Sequence, residues 1–144
     1  MIKHIKGIGL ELHVDSFKIV KDFYHQLGFE VVWETAAEGK KGYLVMELEG
    51  NLLSFWCGTD AVYDHSFFKD FSDSKNGKGV ELILQIKDVD SFYKICREKI
   101  SDNILSNLRE KPWGLKDFRI KDPNGFYIRI TEEFDPRIKR TCDN

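Results

Sequence analysis

The sequence has 144 residues, 42% of them apolar and 32% charged, with a formal net charge of -2. This is the composition of an ordinary soluble globular domain, and the charge leaves no electrostatic footprint for nucleic acid. No apolar run reaches membrane-spanning length, the first residues lack the regions of a signal peptide, and Cys57, Cys96 and Cys142 are too scattered for a disulfide framework, so a cytoplasmic setting is expected.

Residues 2–13 alternate, with Ile8, Leu10 and Leu12 opposite Gly7, Gly9, Glu11 and His13, and period two predicts a half-buried strand. Asp15 or Ser16 can cap a helix in which Phe17, Val20, Phe23, Tyr24 and Leu27 recur at helical spacing, and Gly28 ends it. Strands are predicted at 29–35, 43–48 and 52–57, with a polar turn at 36–42 and a tight turn at Glu49-Gly50-Asn51. Residues 58–78 read as a long loop that carries Tyr63, His65, Phe67, Phe68 and Phe71. A loop of this length is often functional.

The second half repeats this order. A strand is predicted at 79–87, with Leu82, Leu84 and Ile86 on one face and Glu81, Ile83 and Gln85 on the other. Asp88 or Asp90 caps a helix through Val89, Phe92, Tyr93, Cys96 and Ile100. A strand at 104–110 follows. Then two strands at 115–121 and 126–131 flank Asp122-Pro123-Asn124-Gly125, a strong turn signal. Both halves thus read strand–helix–strand–strand–strand. Aligned on phase, Gly9 corresponds to Glu81 and Ser54 to Arg129, all four on the faces away from the helices.

The segments D-F-Y-H-Q-L-G-F (22–29), G-V-E-L-I-L-Q-I-K-D-V-D (79–90) and P-W-G-L-K-D-F-R-I-K-D-P-N-G (112–125), with the element order, resemble the vicinal oxygen chelate superfamily of glyoxalase I, extradiol dioxygenases, fosfomycin-resistance transferases and bleomycin-resistance proteins. The last segment looks most like the bleomycin-resistance branch. The resemblance implies an α+β fold of two tandem βαβββ modules forming a curved mixed sheet with helices on the outer face. It divides the chain into a first module at 1–57, a connecting loop at 58–78, a second module at 79–134 and a polar tail at 135–144. It also implies a homodimer whose clefts draw on both chains.

In metal-dependent members the ligands sit at the positions that fall here on Gly9, Ser54, Glu81 and Arg129. Of these, Glu81 alone suits a divalent cation, and Arg129 is a fixed positive charge. The expected function is therefore a non-metal small-molecule binding protein, without cofactor, that sequesters a planar or aromatic compound in a cleft. The expected ligand-binding residues are Glu81, Arg129, Trp56, Trp113, Tyr127 and Ser54, with Trp33 and Tyr43 as further flat walls. The alternative is a metal-dependent lyase, isomerase or dioxygenase of the same superfamily, using ligands such as Glu11, His13 or Glu47. No nucleic-acid or membrane partner is expected.

Overall fold

The structure is a computed structural model that describes residues 9–35, 42–57, 77 and 79–138. The expectations for His4, the polar turn at 36–41, the aromatic-rich loop with His65, and Cys142 lie outside these residues. Among the described residues, eight strands and two α-helices follow the predicted order, with a short 3-10 turn at Ser101–Asn103. They are β1 (Glu11–Val14), α1 (Phe17–Gln26), β2 (Glu30–Thr35), β3 (Gly42–Leu48), β4 (Asn51–Cys57), β5 (Leu82–Gln85), α2 (Val89–Lys99), β6 (Ile104–Glu110), β7 (Lys116–Lys121) and β8 (Tyr127–Thr131).

Each module forms its own four-stranded mixed sheet, ordered β1-β4-β3-β2 and β5-β8-β7-β6. The first strand of each module lies parallel to the last, and the other pairs are antiparallel. The two tandem βαβββ units read from the sequence are therefore present. No helix among the described residues is long and apolar enough to cross a membrane.

Local chemistry sets the element ends. The Ser16 hydroxyl accepts from the Ile19 N–H, and Asp88 accepts from the Ser91 N–H at 3.0 Å, so Ser16 and Asp88 are the caps. Gly28, with φ of +91°, turns the chain out of α1. Two strands start more than one residue later than predicted. β5 begins only at Leu82, because the Val80 N–H bonds back to the Gly77 carbonyl and Gly79 holds a φ of +81°. β1 begins at Glu11, where pairing with Ser54 of β4 starts. Leu10 is consequently half exposed rather than part of the core.

One helix covers one face of each sheet. The Tyr24 ring of α1 packs 5.4 Å from Phe55 of β4, and Tyr93 of α2 packs 4.9 Å from Phe118 of β7. The buried side chains of both modules belong to one hydrophobic core. Full burial of each Leu, Ile or Phe there stabilises the fold by about 1.5–3 kcal/mol. The modules are also joined by polar bonds. The Tyr24 hydroxyl donates to Asp122 Oδ2 at 2.8 Å, and the Asn51 amide donates to the Gln85 carbonyl at 2.8 Å while its oxygen accepts from the Gln85 N–H at 3.3 Å. Packing against α1 and α2 leaves the opposite face of each sheet to carry polar and aromatic side chains.

Candidate functional site

On the first sheet, the strand register places Tyr43, Trp56 and His13 in one row across β3, β4 and β1. The His13 and Trp56 rings are 5.0 Å apart, and the Trp33 ring lies 5.5 Å from Tyr43. The next row holds Val45, Ser54 and Glu11. Alternation puts all of these opposite Leu44, Phe55 and Leu12, which are buried under α1. The predicted residues Ser54 and Trp56, and the flat walls Trp33 and Tyr43, thus share a face. His13, expected from the sequence only as a ligand in the metal-dependent alternative, completes the aromatic row.

On the second sheet, the buried Asp122 builds the hairpin that sets the register of β7 on β8. Its Oδ1 accepts from the N–H groups of Asn124 and Phe126 at 2.9 and 2.8 Å, and Gly125 takes a φ of +93°. Counting outward from this turn pairs Lys121 with Tyr127, Arg119 with Arg129, and Asp117 with Thr131. The face opposite Phe118 and Ile120 therefore carries Asp117, Arg119 and Arg129 together. Tyr127 is exposed on the same face, two residues before Arg129.

Glu81 lies between the two arginines. Its Oε1 is 3.2 Å from Arg119 Nε and its Oε2 is 3.9 Å from Arg129 Nε. The predicted pairing of Glu81 with Arg129 is present, but Arg119 is the nearer partner. Behind Arg119, the fully buried Asp117 carboxylate meets both Arg119 Nη1 and Lys111 Nζ, the latter at 3.5 Å. Lys111, Asp117 and Arg119 went unremarked in the sequence. The signal that finds them is the hairpin count above.

Trp113 stands half-buried in the turn between β6 and β7. That turn is closed by the Gly114 N–H on the Lys111 carbonyl at 2.8 Å, with Gly114 at a φ of +81°. The Pro-Trp-Gly segment is thus the piece that delivers Lys111 to Asp117. Among the described residues, no hydrogen bond or ion pair links Ser54 to Glu81 or Arg129.

The family's metal positions do not suit a cation here. Gly9 precedes β1 and faces open space, and both oxygens of Glu81 are turned to guanidinium groups that a cation would have to displace. Of the alternative ligands, Glu47 accepts from the Gly50 N–H at 2.7 Å within its turn. Glu11 and His13 lie 3.9 Å apart as two donors only. Among the described residues, no group of three His, Cys, Asp or Glu side chains gathers as a metal site.

Cys96 is buried against the second sheet, and burial pushes its thiol up to about 12. This is the state of a core thiol rather than of a nucleophile.

The sequence model of the Glyoxalase/Bleomycin resistance protein/Dioxygenase superfamily matches residues 2–130. A search of the curated proteins found no match. Among solved structures, the chain is similar to a protein of unknown function from Agrobacterium tumefaciens str. C58, with a TM-score of 0.69, 18% identity and coverage of 92% of this chain and 98% of that one. It is also similar to TioX from Micromonospora sp. ML1, with a TM-score of 0.64, 19% identity and coverage of 87% and 96%. A third similar structure is a bleomycin-binding protein complexed with bleomycin, with a TM-score of 0.60, 17% identity and coverage of 90% and 100%. At these identities the likeness is one of fold.

Proposed function

The chain belongs to the Glyoxalase/Bleomycin resistance protein/Dioxygenase superfamily, and from that premise we propose that it is a non-metal binding protein that captures a planar or aromatic small molecule stoichiometrically. The observation that carries this reading is the arrangement of the two faces away from the helices. One bears an aromatic row with Trp56 at its centre and Ser54 beside it; the other bears Glu81 held between Arg119 and Arg129, with Tyr127 exposed alongside. Flat rings supply apolar contact to a planar ligand, and the charged set orients its polar end. Trp113 is the remaining proposed contact. A structure of the same fold was solved with bleomycin bound; here the arginines at the polar end make that cationic drug a poor match.

In this reading two chains pair in the cytoplasm, and each cleft draws on both of them. The outer strand β2 supports pairing, since Val31, Val32 and Trp33 are exposed along it. The test is titration of the purified protein with planar aromatic compounds, followed by tryptophan quenching, together with metal analysis. Saturable quenching at one ligand per site is expected. Stoichiometric Zn, Ni, Mn or Fe held by three or more protein atoms would overturn the reading in favour of the metal-dependent lyase, isomerase or dioxygenase.

A further inference from the structure

Resting on that binding reading, we infer that the polar end of the site takes the carboxylate of an acidic planar ligand, received by Arg129 and Arg119. Two arginines stand directly opposite each other across β7 and β8. Like charges in that position destabilise a sheet unless something compensates them. Among the described residues the compensation is incomplete. Lys111, Arg119 and Arg129 supply three positive charges, while Asp117 and Glu81 supply two negative ones, so one positive charge is left over.

The surplus sits on Arg129. Asp117 is 0% exposed and meets both Arg119 and Lys111 through Oδ1, while its Oδ2 is buried without a hydrogen bond. Glu81 leans to Arg119 at 3.2 Å and stays 3.9 Å from Arg129. The Arg129 side chain is only 20% exposed, yet its Nε is buried without a hydrogen-bond partner. A guanidinium carries five donors in a planar fork, and covering its Nε from water with that donor unused is unfavourable. A carboxylate matches that fork in shape and supplies the single missing negative charge. A dianionic phosphate fits less well, because its second charge would face Glu81. Exposed Tyr127, two residues along the same strand face, gives the ring of such an acid a surface to lie on.

The test compares 2-naphthoate, 2-naphthamide, 2-naphthylmethylamine and 2-naphthyl phosphate by calorimetry on the wild-type protein and on Arg129→Gln and Arg129→Lys. The acid is expected to bind about tenfold or more tightly than the amide, the scale of a charge-assisted bidentate contact. Arg129→Gln is expected to erase that preference, and Arg129→Lys to keep a weaker one. Equal binding of acid and amide, tighter binding of the amine, or a phosphate preferred tenfold over the carboxylate would overturn the inference while leaving planar capture intact. If no naphthyl compound binds but acetate raises the melting temperature of the wild type and not of Arg129→Gln, aromatic capture falls and the carboxylate site stands. If acetate also has no effect, both fall.

Discussion

The hydroxyl of Tyr24, in the helix of the first module, donates to Asp122, the turn residue of the second module's hairpin, at 2.8 Å with both groups buried. Asp122 therefore organises two things at once. Its Oδ1 holds the turn that sets the register of the arginine face, and its Oδ2 fastens that turn to the other half of the core. Removing the phenol leaves a buried acceptor unmet, at a cost of about 1–3 kcal/mol. Tyr24→Phe is expected to lower the unfolding free energy by that amount, read as a lower urea midpoint at an unchanged m-value. A neutral result would show that water satisfies Asp122 instead.

The same contact dictates a pH response. Burial, and then the neighbouring Asp122 carboxylate, push the Tyr24 phenol well above its usual 10.0. A group with a raised folded pKa stabilises the fold fully below its unfolded pKa and loses that contribution as pH rises through the folded value. Stability should therefore decline above about pH 10. Absorbance titration near 295 nm should show one tyrosine ionising only as the protein unfolds. Tyr24→Phe should lose that late step and soften the alkaline decline.

Asp122 gives the complementary acid-side expectation. Burial raises its carboxyl above the usual 3.8, partly offset by hydrogen bonds from Phe126, Tyr24 and Asn124 that favour the charged form. Its protonated form is thus relatively favoured in the fold. The stabilisation it contributes is complete below pH 3.8 and is lost as pH climbs through the raised value. Asp122→Asn, compared with wild type by denaturant unfolding between pH 3 and 7, should narrow the gap in stability between those limits. An unchanged profile would count against the raised carboxyl.

Glu81 separates two facing arginines, so its loss should be felt through them. Glu81→Gln is expected to cost about 1 kcal/mol, a modest value because its carboxylate is partly in solvent. The loss should shrink with added salt. In a double-mutant cycle with Arg119→Gln, a coupling of about 0.5–1 kcal/mol is expected. Zero coupling would mean that solvent screens the 3.2 Å pair entirely.

Cys96 should be inert in the native protein. With the thiol pushed up to about 12 and buried, alkylation at pH 8 should label it only after denaturant is added. Rapid native labelling, located by peptide mapping, would show that α2 opens readily.

Much of the fold could be read from the sequence because period two and period 3.6 are both written clearly. Leu82, Leu84 and Ile86 are buried as the alternation required, and so are Val20, Phe23 and Tyr24 on one helical stripe. Strand starts were harder. Residues 79–81 keep the alternation of β5, but a positive φ puts Gly79 in a turn and the strand starts only after Glu81, and periodicity carries no information about φ. At the candidate site, the pairing of Glu81 with Arg129 was legible because each sits at a repeat position. Arg119 and Asp117 were not, because their importance comes from cross-strand pairing rather than from their own segment. Asp122 was legible as a turn residue. Its bond to Tyr24 spans 98 positions, and no local pattern encodes it.

The Asn51 side chain has a further meaning. β5 is the outermost strand of the second sheet, and the amide of Asn51 meets both backbone groups of Gln85 on its open side, as a neighbouring strand would. A side chain from one repeat thus finishes the border of the other. Expressed without the first repeat, the second would lose this cover and expose an adhesive margin open to self-association.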